Sequence, residues 1–123
     1  MRSSLCLPTL AAAVLLLGAT PVAMAAPGDA LPGYKFCGWK NFSDGSWTLT
    51  NPEQGAFVTA YASGMSCQAA RRNVTRLSST KTPPYSPRRS GYRCVRLING
   101  YEFSSIRCVK RGGGAKFRTQ TGS

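Results

Sequence analysis

The stretch Gly91–Val109, GYRCVRLINGYEFSSIRCV, constrains this chain more than any other. Two runs of β-forming residues flank Asn99-Gly100, and each run carries one cysteine, Cys94 and Cys108. Asn-Gly between such runs predicts a hairpin, because both residues tolerate the positive φ of a type I′ turn. A two-stranded ribbon is marginal alone in water, so other segments must cover one of its faces. With a two-residue loop, Cys94 faces Ser105 and Cys108 faces Gly91, so the two cysteines point to opposite faces. On that register each reaches outside the hairpin, one to Cys67 and one to Cys37. A three-residue loop with a bulge would reverse the parity, and four cysteines allow three pairings.

The compartment follows from the first residues and from the cysteine count. Residues 1–25 read as a cleaved signal peptide: Arg2 is the positive n-region, Leu10–Leu17 the apolar segment, and Ala23-Met24-Ala25 a small-x-small cleavage site. The apolar run is well short of the ~18 residues that read as a membrane span. Cys6 precedes it and should leave with the peptide. Residues 26–33 (APGDALPG) form a loose terminus, and residues 34–119 a single disulfide-stapled domain. An even set of cysteines in a small exported chain, here Cys37, Cys67, Cys94 and Cys108, predicts two disulfides. No metal site is expected, since no two of them stand at zinc-ligand spacing and the chain has no histidine.

Along the domain, Tyr34–Phe42 and Ser46–Thr50 predict strands joined by an Asp44-Gly45 turn, with Phe42 opposite Trp47. Asn51–Gly55 is a turn and Ala56–Ala62 a third strand. In Ser66–Ser78, the residues Cys67, Ala70, Val74 and Leu77 recur at helical spacing behind a Ser66 N-cap. Ser79–Ser90 is a proline-rich loop biased to extended geometry. The hairpin follows, then a glycine turn at Arg111–Gly114 and a short edge strand at Ala115–Thr119. The expected fold class is α+β: a small antiparallel sheet of hairpins with one packed helix, stapled by two disulfides.

The charge is lopsided. Lysine and arginine number 16 against 4 acidic residues, a formal +12, and the excess lies from Arg71 onward. Such a field attracts polyanions. The basic strand residues Arg93, Arg96, Arg107, Lys110, Arg111, Lys116 and Arg118 are the candidate partner-binding set, interleaved with Tyr92, Tyr101, Phe103 and Phe117. Basic strands with aromatics can track phosphates, but no DNA- or RNA-binding signature accompanies them. The expected partner is therefore an anionic envelope polymer or an acidic protein, and specific nucleic-acid recognition is not expected.

Catalysis is not expected either. Without histidine there is no imidazole base and no Ser-His-Asp triad. Asp29, Asp44, Glu53 and Glu102 are scattered, and Glu102 reads as an ion-pair partner of a neighbour such as Arg96. No cofactor is implied, since Gly112–Gly114 lacks the context of a phosphate-binding loop. The alternative binding element is the loop Lys81–Arg89, which could present Arg88 or Arg89 to a trypsin-like protease in the manner of an inhibitor. Asn41-Phe42-Ser43 and Asn73-Val74-Thr75 match the glycosylation pattern but fall inside regular structure.

The run Gly64–Arg71 (GMSCQAAR), followed by Gly91-Tyr92-Arg93-Cys94 and Ile106-Arg107-Cys108, resembles small exported actinobacterial proteins of the mycobacterial and streptomycete kind. In these a cysteine-bearing helix start precedes a cysteine-bearing hairpin, and an edge such as Phe117-Arg118 closes the domain. The resemblance covers about the last 60 residues. It implies cysteine pairing and a secreted or wall-retained location, and it carries over no catalytic residue. The sequence thus reads as a small secreted, non-enzymatic binding protein that works through its basic C-terminal half.

Overall fold

The structure, a computed structural model, describes residues 28–42, 45–80, 86–99 and 103–122. The signal-peptide reading, the Asp44 half of the first turn, the Lys81–Tyr85 part of the loop, and Gly100 and Glu102 at the hairpin tip lie outside them.

Alternating patterns in the sequence build the strands β1 (Lys35–Asn41), β2 (Trp47–Thr48) and β3 (Phe57–Ser63). After the helix α1 (Cys67–Thr75) come two short strands, β4 (Ser78–Ser79) and β5 (Pro87–Arg88). The C-terminal strands are β6 (Tyr92–Asn99), β7 (Phe103–Lys110) and β8 (Lys116–Gly122). Six of the strands form one antiparallel sheet in the order β2-β1-β3-β8-β7-β6, and β4 pairs with β5 apart from it. The result is a sheet-dominated α+β arrangement with one helix among the described residues.

That helix begins where capping chemistry dictates. The Ser66 hydroxyl accepts a hydrogen bond from the Ala69 N–H at 3.1 Å. The helix ends at Thr75, three residues before the expected Ser78, where the Arg76 N–H donates to the Arg72 carbonyl and the Leu77 N–H to the Val74 carbonyl. Its buried face (Ala70, Val74) packs on β1, β3 and β8. The core between helix and sheet is built from Cys37, Ala60, Ala62, Ile106, Cys108 and Phe117. Small residues at Ala60, Ala62 and Ala70 let the helix approach closely, and the Phe117 ring, 0% exposed, fills the centre.

Three expectations need correction. First, the disulfides are Cys37–Cys67 and Cys94–Cys108, not bridges from the hairpin to its surroundings. Cys94 faces Cys108 directly, because the ladder closes on Asn99↔Ser104 and shifts register between Arg96 and Ile98. A bulge moves every later residue to the opposite face, and here it brings both cysteines to the helix side. Second, β8 is no edge strand: it lies inside the sheet between β3 and β7. Third, Lys40, not Phe42, stands opposite Trp47, and Phe42 is 60% exposed.

The bulge between Phe36 and Gly38 turns Cys37 toward the helix. Gly38 sits at φ +116°, and a Cβ there would lie 2.7 Å from the Thr48 carbonyl oxygen, so the bulge requires glycine. The side of the sheet away from the helix, called here the outer face, carries Phe36, Trp39 and Tyr61. The segment expected to be loose is held down over these rings. The Tyr61 hydroxyl accepts from the Gly28 N–H and donates to the Asp29 carbonyl, both at 2.9 Å, and Leu31 is only 8% exposed.

Candidate functional site

Strand parity and register decide where each basic residue goes. Across the outer face run two rows of facing residues: Arg93–Val109–Lys116, and Val95–Arg107–Arg118–Tyr61. Within the second row Arg107 and Arg118 stand directly opposite each other, an arrangement of like charge that costs stability.

The two cations at the β8 end of these rows are occupied. Lys116 places its Nζ 5.3 Å from the centroid of the Tyr34 ring. Arg118 donates from Nε and Nη2 to the Ser105 hydroxyl, both at 3.4 Å. Burial raises the pKa of the Tyr34 hydroxyl, and Arg118 and Arg107 partly oppose that rise. Burial also raises that of Tyr61, against the lowering effect of the Gly28 hydrogen bond. Tyr34 and Tyr61 are therefore neutral at physiological pH and leave the field of the arginines uncancelled.

Beyond Tyr34 the outer face is open. Arg93, Arg107, Lys110 and Arg111 converge with Val95, Val109 and the Gly112-Gly113 turn on one cleft of about 350 Å³. None of the lining side chains is acidic. Arg93, Arg107, Lys110 and Arg111 are all exposed, so their hydrated head groups are free to exchange water for an anionic ligand. The Arg111 N–H bonds the Gly91 carbonyl at 2.9 Å and the Lys110 N–H the Ala115 carbonyl at 2.8 Å, which fixes the turn that closes the cleft.

No protein-family profile matches this sequence, and no curated protein or solved structure is found to be similar to it.

Arg96 is separated from the rest of the basic set. It faces Ile106, on the helix side of the sheet, where Nε is buried with no hydrogen-bond partner. The seven cations read as one group from the sequence are therefore three: four around an open cleft, two engaged near Tyr34 and Ser105, and one on the opposite face.

The Lys81–Arg89 segment divides as well. Arg88 is exposed on β5, opposite Ser78. Arg89 donates from Nε to the Asn73 Oδ1 at 2.8 Å, and the Asn73 amide donates to the Ala69 carbonyl at 2.9 Å. Asn73 is buried, which ties the end of the loop to the helix and hides that glycosylation pattern. Sequence reasoning missed Lys40, which lines a second cavity on the helix side together with Arg96. Its signal was weak: a lone lysine within the predicted strand Tyr34–Phe42.

Proposed function

We propose that this protein is a secreted, non-enzymatic binding module that holds an anionic envelope polymer or an acidic extracellular protein through the outer face of β6 and β7. The observation that carries this reading is the cleft itself. Four exposed cations meet there, and among the described residues no carboxylate lines it. Fixed positive charge of this kind raises the local concentration of polyanions and speeds their encounter. Two disulfides and the signal-peptide reading of residues 1–25 support an extracellular setting. The absence of histidine from the sequence supports binding over acid–base catalysis.

Retention on heparin, used as a generic polyanion, tests the reading. The triple variant Arg93→Ala/Arg107→Ala/Arg111→Ala is expected to bind about 100-fold more weakly, at roughly 1 kcal/mol per cation near an anionic surface. Wild-type binding should fall steeply with salt. Equal retention of Arg88→Ala/Arg89→Ala and the triple variant would count against the cleft. Trypsin inhibition by the wild type, lost in Arg88→Ala, would move the function to the Lys81–Arg89 loop.

A further inference from the structure

The helix side of the sheet holds a cavity of about 380 Å³ that the basic outer face does not explain. Its volume lies within the range of small-molecule sites. The floor follows two rows of the sheet: Lys40–Val58–Thr121, and Arg96–Ile106–Thr119. Val74 in the last turn of α1, Leu77 just beyond its end and Pro87 of β5 form the apolar wall.

Two polar atoms along this floor are out of place in such surroundings. The Arg96 Nε and the Thr119 Oγ1 are buried without a hydrogen-bond partner, and Thr119 as a residue is only 2% exposed. They lie on the same row, with Ile106 between them. A buried polar group without a partner is costly, and each case needs an explanation. No lining side chain is acidic, so the Arg96 charge is uncompensated within the cavity. Lys40 stands on β1, at the far end of the other row. Four strand spacings put it roughly 20 Å from Arg96 across the sheet. Thr75, Ser78, Ser79 and Thr121 also line the cavity, but its two buried polar atoms without a partner both lie at the β6–β8 end.

We propose that this cavity binds a single-chain fatty acid, with the carboxylate at Arg96 and Thr119 and the acyl chain against Val58, Val74, Leu77 and Ile106. A carboxylate accepts from the guanidinium in fork geometry and from the threonine hydroxyl. The chain replaces water along the apolar wall. A free phosphate or sugar acid would leave that wall uncovered, and a neutral alkane would leave Arg96 unpaired.

Titration calorimetry with monomeric dodecanoate, and with dodecanol as its neutral counterpart, tests the assignment. The wild type should bind dodecanoate at least about tenfold more tightly than dodecanol, in line with a charge-assisted hydrogen bond. Arg96→Met keeps the apolar stem and should abolish that preference while binding dodecanol within about twofold of wild type. Val58→Phe narrows the floor and should weaken both ligands, with its melting curve checked for folding. The Arg93→Ala/Arg107→Ala/Arg111→Ala variant should bind dodecanoate like the wild type, which separates this site from the outer cleft. Absence of dodecanoate binding would overturn the proposal, as would an unchanged preference in Arg96→Met. Binding to phosphatidylglycerol vesicles without binding of the monomeric acid would overturn it too, by placing recognition at a membrane surface.

Discussion

The outer face of the sheet is two surfaces built on one ladder. Over β1, β3 and the start of β8 it is closed: Phe36 packs edge-on to Trp39 at 4.5 Å and tilts against Tyr61 at 5.1 Å, and residues 28–34 lie across the rings. Around Arg93–Leu97 of β6 and Arg107–Val109 of β7 the same face is open, and its residues there are arginine, valine and leucine. Leu97 and Val95 are exposed there, and none of the described residues covers them. The contrast separates where this fold invests in stability from where it leaves charged surface exposed. The closed half uses aromatic area and a backbone clamp. The open half keeps like charges adjacent, which gives up some stability and retains a surface that an anion would relieve.

The sharpest way to break the closed half is Tyr61→Ala. Removing a fully buried aromatic should cost about 3–5 kcal/mol, read from denaturant unfolding. Tyr61→Phe tests the clamp alone. It leaves the Gly28 N–H and the Asp29 carbonyl without the hydroxyl and should cost about 1–3 kcal/mol. Protease sensitivity of residues 28–34 should rise in parallel. Gly28→Ala should cost about 1–2 kcal/mol, because Gly28 lies at φ +92° and a Cβ would collide with the Trp39 ring.

On the open half the expected stability effects are smaller. Arg107→Ala removes a charge facing Arg118 and should leave stability within about 0.5 kcal/mol of wild type, or raise it slightly, while heparin retention falls. A loss of several kcal/mol in that variant would show that the open half is structural. The mildest test is pH. Burial holds the Tyr34 and Tyr61 pKa values above the unfolded-state value of about 10, so the folded state favours their protonated forms. The stability they contribute is present below pH ~10 and is lost as pH rises through the higher folded values. Tyr61→Phe should flatten that loss in alkaline melts.

How far the sequence foretold these halves depends on the range of the interaction that sets each feature. The helix start at Ser66 and the strand segments were legible, because capping and alternation are local. The pairing of Cys94 with Cys108 was not. It depends on a register shift at Arg96–Ile98 and on a ladder that closes at Asn99↔Ser104, and no local residue announces either. The same shift sends Arg96 to the helix side and away from the basic set it was grouped with. The central position of β8 was hidden by Lys116 and Arg118, which read as the charges of an exposed edge. The alternation of Phe117 and Thr119, both buried, was the opposing signal. The helix-side cavity was beyond sequence reasoning, since its lining comes from β1, β3, α1, β4, β5, β6, β7 and β8 together.

The position of β8 has a consequence for how the chain assembles. One disulfide joins β1 to α1 and the other joins β6 to β7, so neither crosses from one side of β8 to the other. Among the described strands, residues 116–122 form the seam between two separately stapled pieces of the sheet. The turn after Lys110 hands β8 directly to β7, so the shared core around Phe117 forms when β8 pairs with the distant β3. Folding is therefore deferred to the pairing of distant segments, the slow class of topology. Until then the edges of β3 and β8 that will face each other are bare, and an intermolecular strand could fill them as readily as the chain's own.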